Sequence, residues 1–188
     1  TYFIHNIELF TFRSWIIIFL IFSQSLQTTH SFGINIQPAT IAAIISLIAM
    51  PASVFFNELT RIYKRETVLN FILYFAIIVP ILLGFFSNSI FIIVLIIVVV
   101  YGIIIPADSS VITAGLILTA QQNLKGTTMG VHSFTGFIGA ILGPMIFGIL
   151  LDFGGGSNNY MGWLISFSSI GLIMLLGPLI VKKLIKND

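Results

Sequence analysis

Apolar stretches long enough to cross a membrane recur along the chain, with short polar segments between them. A membrane-spanning helix needs roughly 20 residues to cross a hydrocarbon core of roughly 30 Å. The stretches are continuously apolar rather than alternating, as in residues 91–100, which favours helices over the strands of a barrel. We therefore predict one all-α integral membrane domain over residues 1–188, with six transmembrane helices at about residues 2–25, 38–56, 68–86, 90–114, 127–151 and 161–181.

The first span is the least regular, because its uninterrupted apolar core covers only residues 15–22. A core this short cannot cross a bilayer, and the apolar character of residues 2–14 favours extension upstream. This extension places Glu8 and Arg13 inside the span, where charges are costly and normally face a protein interior or a wet cavity. Both are therefore candidates for a substrate or coupling-ion site. The alternative is an interfacial amphipathic segment in which both charges are solvated.

The fourth span carries an acid, Asp108, near its end. Tyr101, Asp108 and Gly115 recur at seven-residue spacing and share one face of a helix, which is typical of a stripe that lines a cavity. Tyr101 and Asp108 therefore join the two candidates of the first span. The alternative is that Pro106 ends the helix and that Asp108 caps the segment that follows.

The fifth span is rich in small residues, which let helix backbones approach each other closely. The pattern predicts a helix-packing or gating seam at Gly130, Gly139, Gly143, Pro144 and Gly148. His132 lies on the face of this seam, and we expect it to form an interhelical hydrogen bond rather than to bind a ligand. No second histidine or acid at ligand spacing accompanies it, so no metal is expected.

Composition limits the class of protein. Hydrophobic residues make up 57% of the chain and charged residues 7%, which excludes a soluble domain because large apolar patches would face water. There is no cysteine, so disulfides and thiolate metal sites are excluded. Lysine and arginine form no run that would neutralise phosphates, so nucleic-acid binding has no support, and no cofactor is expected. The chain begins at Thr1, and we interpret it as a fragment whose natural beginning is missing.

The basic residues predict orientation, because short loops rich in lysine and arginine stay in the cytoplasm. Outside the first span they lie only in alternate loops and in the tail, at Arg61, Lys64, Arg65, Lys125, Lys182, Lys183 and Lys186. Both ends of the chain are therefore expected on the cytoplasmic side of the inner (plasma) membrane of a cell. Tyr160 and Trp163 would then lie in an aromatic belt at the outer interface.

The glycine pattern of the fifth span is similar to the Gly-Pro signature of the major facilitator superfamily, with Phe147 where glycine is usual. Residues 125–152 resemble the eleventh helix of many bacterial members, residues 5–15 their seventh helix, and residues 106–109 their tenth. The resemblance covers essentially the whole chain and implies six of the family's twelve helices. We expect the carboxyl-terminal half, because the chain stops soon after Lys182 and Lys183, as family members do.

The loop at residues 57–65 stands where the family has a cytoplasmic Gly/Asp/Arg signature between the second and third helices of each half. The glycines of that signature are absent here, and Arg61 occupies the position of its acid. A gating role of this loop is therefore not implied, and a positively charged cytoplasmic loop accounts for the residues.

The resemblance implies secondary active transport of a small solute by alternating access, with the first and fourth spans lining the cavity. Glu8 and Asp108 are the candidates for proton coupling, and Arg13 would meet an anionic solute or an acid of the missing half. The expected partners are membrane lipid, the missing amino-terminal half of the same chain and the solute. A membrane-embedded enzyme would need a catalytic constellation, which the sequence does not show, so no enzyme is expected. A structural or assembly subunit is the other alternative.

Overall fold

The computed structural model describes residues 1–27 and 36–185, with side chains up to Lys182. These residues form helices and no strand. The helices are α1 (Tyr2–Ser25), α2 (Pro38–Leu59), α3 (Arg65–Phe85), α4 (Phe91–Thr119), α5 (Lys125–Phe153), α6 (Tyr160–Met174) and α7 (Leu176–Ile185). Most of the loop predicted after the first span, Lys186 and the side chain of Lys183 lie outside the described residues.

Six helical segments of the described chain are long and apolar enough to cross a membrane, which confirms the expectation of six such helices. They are α1 to α5 and the α6–α7 pair, which spans Tyr160–Lys182. Their bounds lie close to the predicted spans, although α4 continues to Thr119. The chain therefore fits a multi-pass membrane protein.

Prolines have opposite effects in different helices. Four helices continue through an internal proline, at Pro51, Pro80, Pro106 and Pro144. Because α4 runs unbroken past Pro106, the alternative in which Asp108 caps a new segment is wrong. The sixth span, in contrast, is interrupted after Met174. Pro178 accounts for this break, since it lacks an N–H and its ring displaces the carbonyl four residues earlier, at Met174.

The helices cross the bundle in alternating directions. α1 lies parallel to α5, with Phe3 beside Gly139 and Trp15 beside Gly148. α2 lies parallel to α4, α3 lies antiparallel to α6, and α1 crosses α4 in the antiparallel sense. All described basic residues except that of α1 therefore lie at the end where α1 begins. We call it the basic end, after Arg61, Lys64, Arg65, Lys125 and Lys182.

Glycines bring α1 and α5 into backbone contact. Gly139 packs against the carbonyl oxygen of Phe3, and a Cβ added at Gly143 would lie 2.5 Å from the carbonyl oxygen of Ile7. Such approaches are tighter than any side chain allows, so only glycine fits at these two positions. The predicted seam is thus the α1–α5 contact.

The seam includes the predicted Gly148 and Pro144 at one end and differs from the prediction at the other. Trp15 packs on Gly148 and donates its indole N–H to the carbonyl of Pro144 at 3.1 Å. Gly136, which was not predicted, faces the ring of a tyrosine on α1. Gly130 is not part of the seam, because a Cβ added there would meet no atom within 4 Å.

Aromatic rings join α1, α5 and α6 at the end opposite the basic end. This aromatic cluster consists of Phe19, Phe147, Trp163 and Phe167, with ring centroids 4.9–6.1 Å apart and all four side chains buried. The Trp163 indole N–H donates to the carbonyl of Ser157 at 2.8 Å. Trp163, which was predicted in an interfacial belt, therefore packs in the core of the bundle near the start of α6.

Candidate functional site

Four titratable side chains lie buried where α1 crosses α4. His5 and Glu8 come from α1, Tyr101 and Asp108 come from α4, and each is about 1% exposed. Residues three or four apart share a helix face, as do residues seven apart, so each helix presents its pair to the other. We call these four residues the buried cluster.

An ion pair joins the two helices within the buried cluster. His5 Nδ1 lies 2.6 Å from Asp108 Oδ1, and both side chains are shielded from the surface of the bundle. The stacked ring of Tyr2 covers His5, with the two ring centroids 5.7 Å apart. The interior of a bundle disfavours lone charges, so each group provides the partner that the other needs.

The second part of the cluster contains a carboxyl group and a phenol. Glu8 and Tyr101 are both about 1% exposed, and neither carboxyl oxygen of Glu8 has a hydrogen-bond partner in the described chain. Phe12 packs edge-on against the Tyr101 ring at 5.1 Å between centroids. This contact fixes the orientation of the phenol ring.

The histidine of α5 lies beside the cluster. His132 stacks on Tyr2 with ring centroids 3.6 Å apart, and its Nε2 lies 3.3 Å from the hydroxyl oxygen of Thr113 on α4. The expected interhelical hydrogen bond of His132 is therefore present. It ties α5 to α4, and Tyr2 separates His132 from His5 of the cluster.

Arg13 lies apart from the other predicted site residues. Its side chain is exposed in a shallow groove between α1, α2 and α4, whose lining includes Ser46 and Pro106. It is eight residues from His5, or about 12 Å along a helix at 1.5 Å per residue. Among the described residues it has no ion-pair partner. The structure thus brings Glu8, Tyr101 and Asp108 together and leaves Arg13 on an open face.

The interfacial alternative for the first span fails at Glu8. That alternative required both charges of α1 to be solvated, whereas Glu8 is buried between helices. α1 is a continuous helix from Tyr2 to Ser25, so the upstream extension accounts for its length.

His5 was not among the predicted site residues. The sequence did contain a feature that could have identified His5. It lies three residues before Glu8 and therefore shares a helix face with an acid that was already a candidate. What the sequence could not supply is the register between α1 and α4, which decides that His5 rather than Arg13 meets Asp108.

A cavity of about 630 Å³ lies at the basic end, between the starts of α1, α3 and α5 and the end of α4. Arg65 and Glu66 line it, together with Tyr2 and His132. The Arg65 guanidinium donates from Nη1 to the carbonyl of Val111 at 2.7 Å, which holds the start of α3 against α4.

No group of three metal-ligating side chains lies close enough to hold a metal ion within residues 1–27 and 36–185. No family model, no curated protein and no solved structure matches the chain.

Proposed function

We propose that this chain is the carboxyl-terminal six-helix half of a secondary transporter of the major facilitator type, which moves a small solute by alternating access. It lies in the lipid of the inner (plasma) membrane with both ends in the cytoplasm. It works with an amino-terminal half of the same chain, binds no nucleic acid and catalyses no covalent reaction.

The observation that carries this proposal is a repeat in helix packing. The helices can be paired as α1 with α4, α2 with α5, and α3 with α6. When the members of each pair are exchanged, the α1–α5 contact becomes the α4–α2 contact, which the bundle also contains. The same exchange leaves the α1–α4 and α3–α6 contacts in place and maps α1–α6 onto α4–α3. The α5–α6 and α1–α2 contacts lack a comparable counterpart, and α3–α4 packs more extensively than α1–α6.

The repeat is inverted. Three crossings bring the chain to the opposite side, so α4 to α6 run through the bundle in the opposite sense to α1 to α3. Inverted three-helix repeats are found within each half of this class of transporter. Coupling-ion and substrate sites of such proteins lie at the repeat interface, and the buried cluster lies between α1 and α4, the first helices of the two repeats.

The position of Arg13 supports a second half of the protein that packs against this groove. A charge near the middle of a span costs roughly 2.5–3.5 kcal/mol or more if it faces lipid, so the groove that holds it needs water or protein. The helices beside this groove leave room for such a wall, since α2 has only two buried residues, Ile41 and Ile45. An amino-terminal half packed there would enclose Arg13 in the solute pathway.

Solute flux tests the proposal. The whole protein is reconstituted in lipid vesicles, and uptake of a panel of labelled small solutes is measured, organic carboxylates first because the Arg13 guanidinium can bind a carboxylate through two parallel hydrogen bonds. We expect at least one solute to enter faster than in protein-free vesicles. Equal rates for every solute would contradict the proposal.

A further inference from the structure

The buried cluster contains more acid than base. Glu8 and Asp108 can each carry a negative charge, whereas His5 is the one member that can become a cation. With both acids ionised and the imidazole neutral, the net charge would be −2 by this count. A buried net charge is costly in a membrane bundle. The neutral cluster must therefore hold two protons.

The charged groups on the neighbouring helices have other contacts. Arg65 of α3 donates to a backbone carbonyl, Arg13 of α1 points into the groove, and His132 of α5 meets Thr113. In the described chain the titratable groups of α2 and α6 are end residues, Glu58 and Tyr160.

The contacts distinguish the two protons. His5 and Asp108 form a close ion pair, so the first of the two protons belongs to this pair. Glu8 is about 1% exposed and has no ion-pair partner in the described chain, so the buried site favours the neutral carboxylic acid. Ionisation of Glu8 would leave a buried negative charge without an ion-pair partner.

We propose that the buried cluster is a proton-binding site, with one proton on His5 paired to Asp108 and a second, exchangeable proton on Glu8. Release breaks the O–H bond of Glu8, leaves both electrons on its carboxylate and passes the proton to water. In the proposed transporter this site would bind the coupling ion, and that role alone rests on the transport function. Proton binding itself does not depend on it.

Infrared spectroscopy of the whole protein in bilayers tests the site without any solute. The wild type should show a carboxylic C=O band at neutral pH that shifts when water is replaced by D₂O. Glu8→Gln should lose this band. His5→Gln should gain a second one, because Asp108 without its cation must take up a proton. Asp152→Asn is the matched control, since Asp152 is exposed at the end of α5 and its loss should leave the band unchanged.

Tyr101→Phe keeps the ring and removes a polar group of the buried cluster, so the Glu8 band should shift in frequency because the surroundings of the acid become less polar. This variant answers the question even if Glu8→Gln does not fold. Three outcomes would overturn the assignment of the exchangeable proton to Glu8. They are absence of the band in the wild type, retention of the band in Glu8→Gln, and a band that Tyr101→Phe leaves unchanged. A His5→Gln protein without the second band would overturn the His5–Asp108 pair. Absence of solute flux with these bands intact would contradict transport and leave the proton site standing.

Discussion

Substitution of Gly143 by alanine should destabilise the bundle at the α1–α5 seam. The added Cβ would lie 2.5 Å from the carbonyl oxygen of Ile7 and 2.7 Å from the hydroxyl of Thr11. Ordinary contacts of a Cβ begin near 3.4 Å. The neighbour in the way is helix backbone rather than a flexible side chain, so α1 must move away from α5. Overpacking of this kind costs about 1–3 kcal/mol, which is roughly a 5- to 150-fold change in the folding equilibrium.

Gly130→Ala is the matched control on the same helix. An added Cβ there meets no atom within 4 Å, and alanine is a better helix former than glycine by roughly 0.5–1 kcal/mol. We therefore expect Gly130→Ala to be as stable as the wild type or slightly more stable. The pair separates close packing from the intrinsic helix preference of the two residues.

Unfolding by sodium dodecyl sulfate in mixed micelles, followed by tryptophan fluorescence, measures the difference. The chain has two tryptophans, and Trp15 lies at the seam itself, where its indole N–H meets the carbonyl of Pro144. The fraction of sodium dodecyl sulfate at which half of the protein is unfolded should fall for Gly143→Ala. For Gly130→Ala this midpoint should stay the same or rise. Equal midpoints for Gly143→Ala and wild type, or an equal fall for both variants, would refute the reasoning.

Three further predictions concern orientation and function. For orientation, single cysteines replace Lys64, Ser89, Lys125 and Asn158 of the cysteine-free chain, one at a time. An impermeant thiol reagent on intact cells should label cysteines at positions 89 and 158. Labelling of only positions 64 and 125 would contradict the predicted orientation. Arg13→Gln should reduce solute uptake strongly and Arg13→Lys should reduce it less, with the amount of protein at the cell surface unchanged. The control, Arg61→Gln at the exposed basic end, should leave uptake unchanged. Normal uptake by Arg13→Gln would remove the case for an anionic solute. Glu8→Gln should abolish uptake driven by a pH gradient but retain solute exchange between two compartments, and gradient-driven uptake at the wild-type rate would exclude Glu8 as the coupling group.

Much of the fold could be predicted because its pattern is local. Span length and continuous apolar character depend on neighbouring residues, and so the number of long helices and their approximate bounds follow from the sequence. The break after Met174 was missed, since prolines within spans two to five are accommodated and nothing local distinguishes Pro178 from them.

The site could be predicted only in part, because contacts between helices depend on register. Glu8 and Asp108 were identified from the cost of placing an acid in a span. The same reasoning selected Arg13, which the structure leaves in an open groove, and it passed over His5. Burial cost marks a residue as unusual, whereas the partner that offsets this cost comes from another helix and is fixed by tertiary packing.

The aromatic cluster makes one edge of the bundle stiff. Its rings are fully or almost fully buried, and four of its contacts are edge-on or tilted, so sliding α1, α5 and α6 past one another there would separate many favourable ring contacts. α2 has no such anchor, since its packing on α4 relies on smaller groups, such as Ile45 against Gly102 and the hydroxyl of Ser110 on the carbonyl of Ser53. We therefore expect deformation to be uneven, with α2 moving more easily than the rigid edge formed by α1, α5 and α6. The groove that holds Arg13 lies beside α2. The width of this groove is therefore the dimension of the bundle that can change most easily.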